Sequence, residues 1–293
     1  MTTRTLCIAL LLLAAGSAHA AISVKDGSGA TVTLAQPAQR VVTLAPHATE
    51  LVYAAGAGAR IVGASDYSDY PPQAKAIPRI GSNSQIDTER LLALRPDLLV
   101  VWQGGNAERQ LAPLRRLGVP VYRSEPKSLD DIADEVERLG RLTGTETSAL
   151  PAAAALRARL AALAERYRDK PPVSVFYQVW DQPLYTLNGR QIVSDAIRLC
   201  GGVNVFADLA ALAPTVSVEA VLQKNPEVIV RGGQGGEEAP GLLLWKRTPA
   251  LLAAQRGNLY TVESDLMTRA GPRMVDGAEA LCALLEQARG KRR

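Results

Sequence analysis

Side chains able to do covalent or metal chemistry are few in this 293-residue chain: two histidines, His19 and His47, and three cysteines, Cys7, Cys200 and Cys282. His19 falls in a leader segment described below, which leaves His47 as the one imidazole of the mature protein. That excludes a zinc site built on several histidines and makes any Ser-His-Asp triad depend on a single residue. No nucleophile elbow, Walker loop or zincin motif occurs. Gly232-Gly233-Gln234-Gly235-Gly236 lacks the dinucleotide-binding spacing and is followed by Glu237-Glu238, which repel a pyrophosphate. It reads as a loop at the rim of a cleft. The chemistry on offer is therefore binding rather than catalysis, with no catalytic residue, no cofactor and no metal-ligand set. Trp102, at a strand end just before Gly104-Gly105, is the kind of residue that would do it: a large ring with little rotamer entropy, set where a cleft would open.

The elements that would position such residues come twice. Glu89-Arg90-Leu91-Leu92-Ala93-Leu94-Arg95-Pro96-Asp97-Leu98-Leu99-Val100-Val101 returns as Glu219-Ala220-Val221-Leu222-Gln223-Lys224-Asn225-Pro226-Glu227-Val228-Ile229-Val230-Arg231. Each copy predicts a short helix, a proline that stops it and a buried strand, and each is followed by glycines. The fold expected is α/β, two lobes with mostly parallel sheets, with a ligand cleft at the carboxyl ends of the strands.

The first residues resemble a secretory leader. Arg4 precedes an apolar run, Leu6 to Ala15, too short to span a bilayer, and Ala18-His19-Ala20 supplies a small-residue cleavage pattern. Cys7 lies inside that run, not after it where a lipid-anchored cysteine would stand. A signal peptide over 1–20 predicts an exported, soluble, periplasmic protein starting at Ala21. The formal charge of +4 falls to +3 once Arg4 is removed, and the arginines are scattered, which disfavours nucleic acid as a partner.

Cys200 and Cys282 survive export. Val193, Ile197 and Cys200 share one helix face, and Met274, Ala278, Leu281, Cys282 and Leu285 share another. In an oxidising compartment a disulfide between them is the natural expectation, with two buried free thiols as the alternative.

Along the mature chain, Val24 to Leu34 reads as a hairpin, with strands at Arg40 to Leu44, Ile61 to Ala64, Leu98 to Val101, Val119 to Tyr122 and Val173 to Tyr177. Helices are expected over Thr49 to Ala55, Leu129 to Leu142, and Pro151 to Arg168, the last about 27 Å long with Pro151 in its first turn. That helix reads as a strut over 151–169 between an N-terminal lobe, 21–150, and a C-terminal lobe, 170–293. A coiled-coil partner surface is the alternative for it.

Tyr67-Ser68-Asp69-Tyr70-Pro71-Pro72-Gln73-Ala74 and Trp102-Gln103-Gly104-Gly105-Asn106-Ala107-Glu108-Arg109-Gln110 closely resemble the periplasmic cobalamin-binding receptors of ABC importers. Cys200-Gly201-Gly202, Val216-Ser217-Val218-Glu219, Ser264-Asp265, Arg269-Ala270-Gly271-Pro272-Arg273 and Leu281-Cys282 extend the likeness over nearly the whole mature chain. The Glu-to-Pro repeat alone marks only the wider family that also carries haem and ferric siderophores.

The resemblance implies a monomeric receptor, closing little on binding, with a corrinoid in the cleft. By position Tyr67, Trp102, Tyr185 and Asp265 match ligand contacts, and Glu89 and Glu219 match surface glutamates that dock onto arginines of the inner-membrane permease. Those glutamates also suit the positive ends of helices. Two family tryptophans are replaced here, by Asn83 and Ala213. Trp180 and Tyr177, at an adjacent strand end, are candidates to fill the aromatic wall, and Asn83 itself takes the place of a wall residue. His47, after Pro46 at a helix start, is a further candidate contact for a corrin amide or for cobalt. A haem receptor with Tyr67 on iron, a siderophore receptor, and an exported enzyme or corrinoid-handling factor are the rival expectations.

Overall fold

The computed structural model describes residues 21–292 apart from 83–84, 106–107, 117 and 234–239. The leader and Asn83 lie outside the described residues. The chain opens with an antiparallel hairpin, β1 (Ile22–Lys25) and β2 (Thr31–Leu34). The N-terminal lobe then runs β3 (Val41–Thr43), α1 (Pro46–Ala54), β4 (Ile61–Ala64), α2 (Thr88–Ala93), β5 (Leu98–Trp102), α3 (Glu108–Arg116), β6 (Val121–Ser124) and α4 (Leu129–Thr143). The long helix α5 (Glu146–Tyr167) follows. The C-terminal lobe runs β7 (Val173–Gln178), α6 (Ile192–Leu199), β8 (Gly202–Asn204), α7 (Val218–Lys224), β9 (Val228–Gly233), α8 (Leu243–Lys246), α9 (Leu252–Gln255), β10 (Leu259–Glu263), α10 (Ser264–Thr268) and α11 (Met274–Gly290).

Both lobe sheets are parallel, ordered β4-β3-β5-β6 and β10-β9-β7-β8. Counted within each lobe this is one topology used twice, first strand flanked by second and third, with the fourth at the edge. The strands are apolar on both faces because helices cover both. Leu98 and Val100 of β5 enter the core shared with α5, while Leu99 and Val101 face an outer core with Leu91, Leu111 and Leu114. In β9, Val228 and Val230 face inward, and Ile229 joins Val221, Phe176 and Trp245 outside.

The repeated segment is repeated in structure to the level of single atoms. Asp87 caps α2 by accepting the Arg90 N–H at 2.9 Å, and Ser217 caps α7 by accepting the Ala220 N–H at 3.1 Å. Leu91 and Val221 are the buried residues of the two helices. Arg95 and Asn225, each directly before the proline, both adopt left-handed backbone, at φ 47° and 43°. Asparagine tolerates that region far better than arginine, so the first copy carries the more strained turn.

Helix α5 begins five residues earlier than expected, so Pro151 sits in its second turn rather than its first. Packing decides this. Ala149 lies fully buried against Gly140 of α4, so close that a Cβ on Gly140 would fall 2.2 Å from that of Ala149. The contact holds the extra turn in place despite the lost proline N–H. Along α5, Ala149, Ala153, Leu156, Leu160, Leu163 and Tyr167 form one buried stripe at alternating four- and three-residue steps. Helix α11 starts at Met274, just after the expected Pro272, where the Met274 N–H bonds the Gly271 carbonyl. The sequence patterns do not announce β8, three residues long, or β10. Among the described residues no helix is long and apolar enough to cross a membrane.

Cys200 and Cys282 form a disulfide that ties the end of α6 to α11, Cα atoms 4.7 Å apart and both residues fully buried. The bridge closes a sequence separation of 82 residues. Its removal by reduction, or by Cys282→Ser, should lower stability by about 2–4 kcal/mol, measured as a shift in urea midpoint. Two thiols alkylated in the freshly isolated, unreduced native protein would contradict the bond.

Candidate functional site

Between the lobes lies a cavity of about 610 Å³, built where strands end and helices begin. Trp102 ends β5, Glu125 and Pro126 follow β6, and Tyr67 lies in the loop after β4. From the other lobe come Tyr177 in β7, Val179 and Trp180 just beyond it, Arg231 and Gly232 in β9, and Ser264, Asp265, Met267 and Thr268 of α10. The starts of α1 and α6 reach this space through Pro46-His47 and Ile192-Val193, so two helix N-termini face it.

The aromatic wall is held open to solvent. Tyr67 is 77% exposed, Trp180 61% and Trp102 37%, which rules out core packing for all three. Tyr67 adopts left-handed backbone at φ 62°, an uncommon conformation for a bulky residue and one found where a side chain must be presented at a set angle. Trp102 depends on a glycine: a Cβ on Gly105 would fall 1.8 Å from the indole, which folds back across its own turn. The turn is fixed further by the Gly104 N–H, which donates to Glu125 Oε2 at 2.8 Å.

Tyr185 does not line the cavity. Its backbone pairs with Trp180 on one side and Thr215 on the other, bracing the loop that presents Trp180. Ala213 lies exposed in the segment before α7. Asp265 stands in the first turn of α10, where it bonds Arg269 at 2.9 Å instead of capping the helix.

Four residues important to the site had no place among the expected ones. Glu50, in α1, is nearly fully buried and receives a two-pronged bond from Arg273, Nε to Oε2 at 3.0 Å and Nη2 to Oε1 at 2.6 Å. Arg269 adds bonds to Glu50 at 3.4 Å and to Asp69 at 2.7 Å. These contacts cross from lobe to lobe, with Arg269 the member that lines the cavity, and the Arg273 guanidinium also lies over the Tyr70 ring at 4.0 Å. The fourth is Arg231; the internal repeat aligns it with the buried Val101, and a charge in an apolar slot was the available signal. Among the described residues no cluster of His, Cys, Asp or Glu is arranged to hold a metal ion.

His47 is 6% exposed, stands edge-on to Trp102 with ring centroids 6.1 Å apart, and has a buried Nε2 without a hydrogen-bond partner. Burial drives its pKa down from 6.5 to about 4, so the imidazole is neutral at physiological pH. Near the Glu125 strand end, burial pushes the Glu135 carboxyl up from 4.5 to about 7.

A model of the periplasmic binding protein family matches residues 41–266, and the chain belongs to that family. It is 40% identical over 251 residues to the vitamin B12-binding protein of Vibrio cholerae, covering 85% of this chain and 90% of that one. The vitamin B12-binding protein of Yersinia pestis is 38% identical over 248 residues, covering 85% and 86%. Among solved structures, the periplasmic vitamin B12 binding protein BtuF of Vibrio cholerae superposes with a TM-score of 0.79 at 39% identity, covering 86% of this chain and 98% of that one. The periplasmic heme-binding protein RhuT from Roseiflexus sp. RS-1 superposes at 0.75 with 25% identity, covering 85% and 98%.

Between pH 4 and 6.5 the unfolded chain binds a proton at His47 that the folded chain refuses. The stabilisation from this group is complete above pH 6.5 and is lost as pH falls toward 4, on the order of 3 kcal/mol in all. Glu135 acts in the opposite sense, its contribution complete below 4.5 and lost as pH rises through 7. The two therefore offset each other in wild type. The stability difference between wild type and His47→Gln, from urea unfolding at each pH, should widen steadily from pH 4 to 6.5 and stay flat above. A difference that does not vary with pH would mean the imidazole titrates freely in the fold.

Proposed function

We propose that this chain is a periplasmic substrate-binding protein that captures a cobalamin-type corrinoid in the interlobe cavity and delivers it to an ABC importer. The observation that carries the reading is the wall of exposed rings, Tyr67, Trp102 and Trp180, lining one cavity in a chain so similar to vitamin B12-binding proteins. A corrin is a broad plate with an amide-fringed edge. Aromatic rings cover its faces with large apolar area at small entropic cost, while neutral polar groups and helix N–H donors meet the fringe. His47 supplies a neutral polar group beside Trp102, and Asp265 with Arg269 supplies another polar edge. Tyr185 acts through Trp180, as a positioning residue.

Purified protein should bind cyanocobalamin, one molecule per chain, with quenching of tryptophan fluorescence. Trp102→Ala should weaken binding by at least ~1 kcal/mol. Unchanged affinity would remove Trp102 from the contact surface. Titration with haem in parallel, read by the Soret band, separates the rival reading, in which Tyr67 would reach the iron; a strong Soret shift with no cyanocobalamin binding would favour it.

For delivery, we assign Glu89 and Glu219 as the contacts with permease arginines. Each is exposed at the second position of its helix, and each helix runs back along the strand it precedes, so both glutamates stand at the strand ends where the cavity opens. The Glu219 carboxyl is held below its usual range by hydrogen bonds from its own backbone N–H and from Ser217. Reversing both charges, Glu89→Arg with Glu219→Arg, should leave corrinoid affinity intact and abolish uptake and complex formation with the permease. Single reversals should show partial losses that deepen with salt, since exposed charges are screened over roughly 8 Å at physiological ionic strength. Normal uptake by the double variant would leave these residues as helix-start charges only.

A further inference from the structure

The cavity contains two arginines in very different states. Arg269 is neutralised within the protein by Asp69, Asp265 and Glu50 at 2.7, 2.9 and 3.4 Å. Arg231 is not. It projects from β9, its side chain 14% exposed, and meets Asp181 through Nη2 at 3.5 Å. Asp181 is itself engaged by Gln178 Nε2 at 2.6 Å. The Nε of Arg231 is buried and has no hydrogen-bond partner.

A guanidinium carries five donors in a fixed fork and keeps its charge at any physiological pH. Leaving one of those donors dry and unbonded in a cavity wall is unfavourable unless an acceptor arrives with the ligand. Beside it stand the Tyr177 phenol, whose buried hydroxyl feels the Arg231 charge, and the Trp180 ring. Of the two arginines in the wall, Arg231 is thus the one with donor capacity left over.

The geometry points to Arg231 as an anion subsite that reads the phosphodiester of a complete corrinoid. The inference rests on the corrinoid reading above. A corrin ring with its amides is uncharged at the periphery, and the phosphodiester joining ring to nucleotide is the anion that a complete cobalamin carries and a cobinamide lacks. Arg231 therefore discriminates finished cobalamins from nucleotide-free precursors, through charge-assisted bonds of the kind a guanidinium makes with phosphate oxygens.

The test uses the mature, disulfide-intact protein titrated by calorimetry with cyanocobalamin and with dicyanocobinamide. Wild type should prefer cyanocobalamin by about tenfold or more, the scale of one desolvated charge-assisted bond. Arg231→Gln should remove that preference by weakening cyanocobalamin alone, and Arg231→Lys should retain part of it. The preference should also shrink with added salt in wild type and show no salt response in Arg231→Gln. Unchanged cobinamide binding in the variant doubles as proof that the cavity is intact. Equal losses for both corrinoids, or no loss for either, would overturn the role of Arg231 while leaving the corrinoid reading in place. Failure of wild type to bind either corrinoid would overturn that reading, and this inference with it.

Discussion

The structure turns on one buried carboxylate. Glu50 leaves α1 in the N-terminal lobe and is gripped by Arg273, with Arg269 alongside, from the C-terminal lobe. Taking a carboxylate and two guanidinium groups out of water is unfavourable, and it is offset only by close, multiply bonded geometry such as the two-pronged contact seen here. Any relative rotation of the lobes would stretch these bonds in a poorly hydrated place. The clasp thus fixes the distance between Trp102 on one side and Trp180 on the other, and so the width of the cavity. Arg269 links the clasp directly to the cavity wall through Asp265.

Around that fixed point the molecule is nearly two-fold in design yet asymmetric in chemistry. The same strand order, the same capped helix and the same left-handed turn recur in each lobe. At the strand ends the copies diverge: the first presents an indole at Trp102, and the second presents glycine at the matching Gly232, with Arg231 beside it. At these matched positions one lobe offers an indole and the other a guanidinium beside bare backbone, and the second lobe's ring, Trp180, comes from a different strand end.

Much of the architecture was legible because it is written in local patterns. The repeat gave two lobes, the apolar runs gave buried parallel strands, and the helix faces of Cys200 and Cys282 gave their pairing. The site was legible only in part. Trp102 declared itself by standing before two glycines, whereas the exposure of Tyr67 depends on a left-handed backbone that no propensity announces. Glu50 looked like any acid in an amphipathic helix; its partners lie more than two hundred residues away, and no short-range spacing records such a pair. The early start of α5 was hidden because it goes with the packing of Ala149 on Gly140 across the turn from α4, and not with any local propensity.

The stripe along α5 has a further consequence. Its buried side chains belong to a single apolar cluster that includes Val41, Leu98 and Val100 of the first sheet as well as Val173, Val228 and Val230 of the second. The helix is therefore less a spacer between two bodies than the middle of one body. Neither lobe retains its own complete core if the other unravels, because each would expose the face of α5 that it shares. The two lobes are thus coupled through one helix face, and the apolar surface that α5 offers to each is covered only when both are in place.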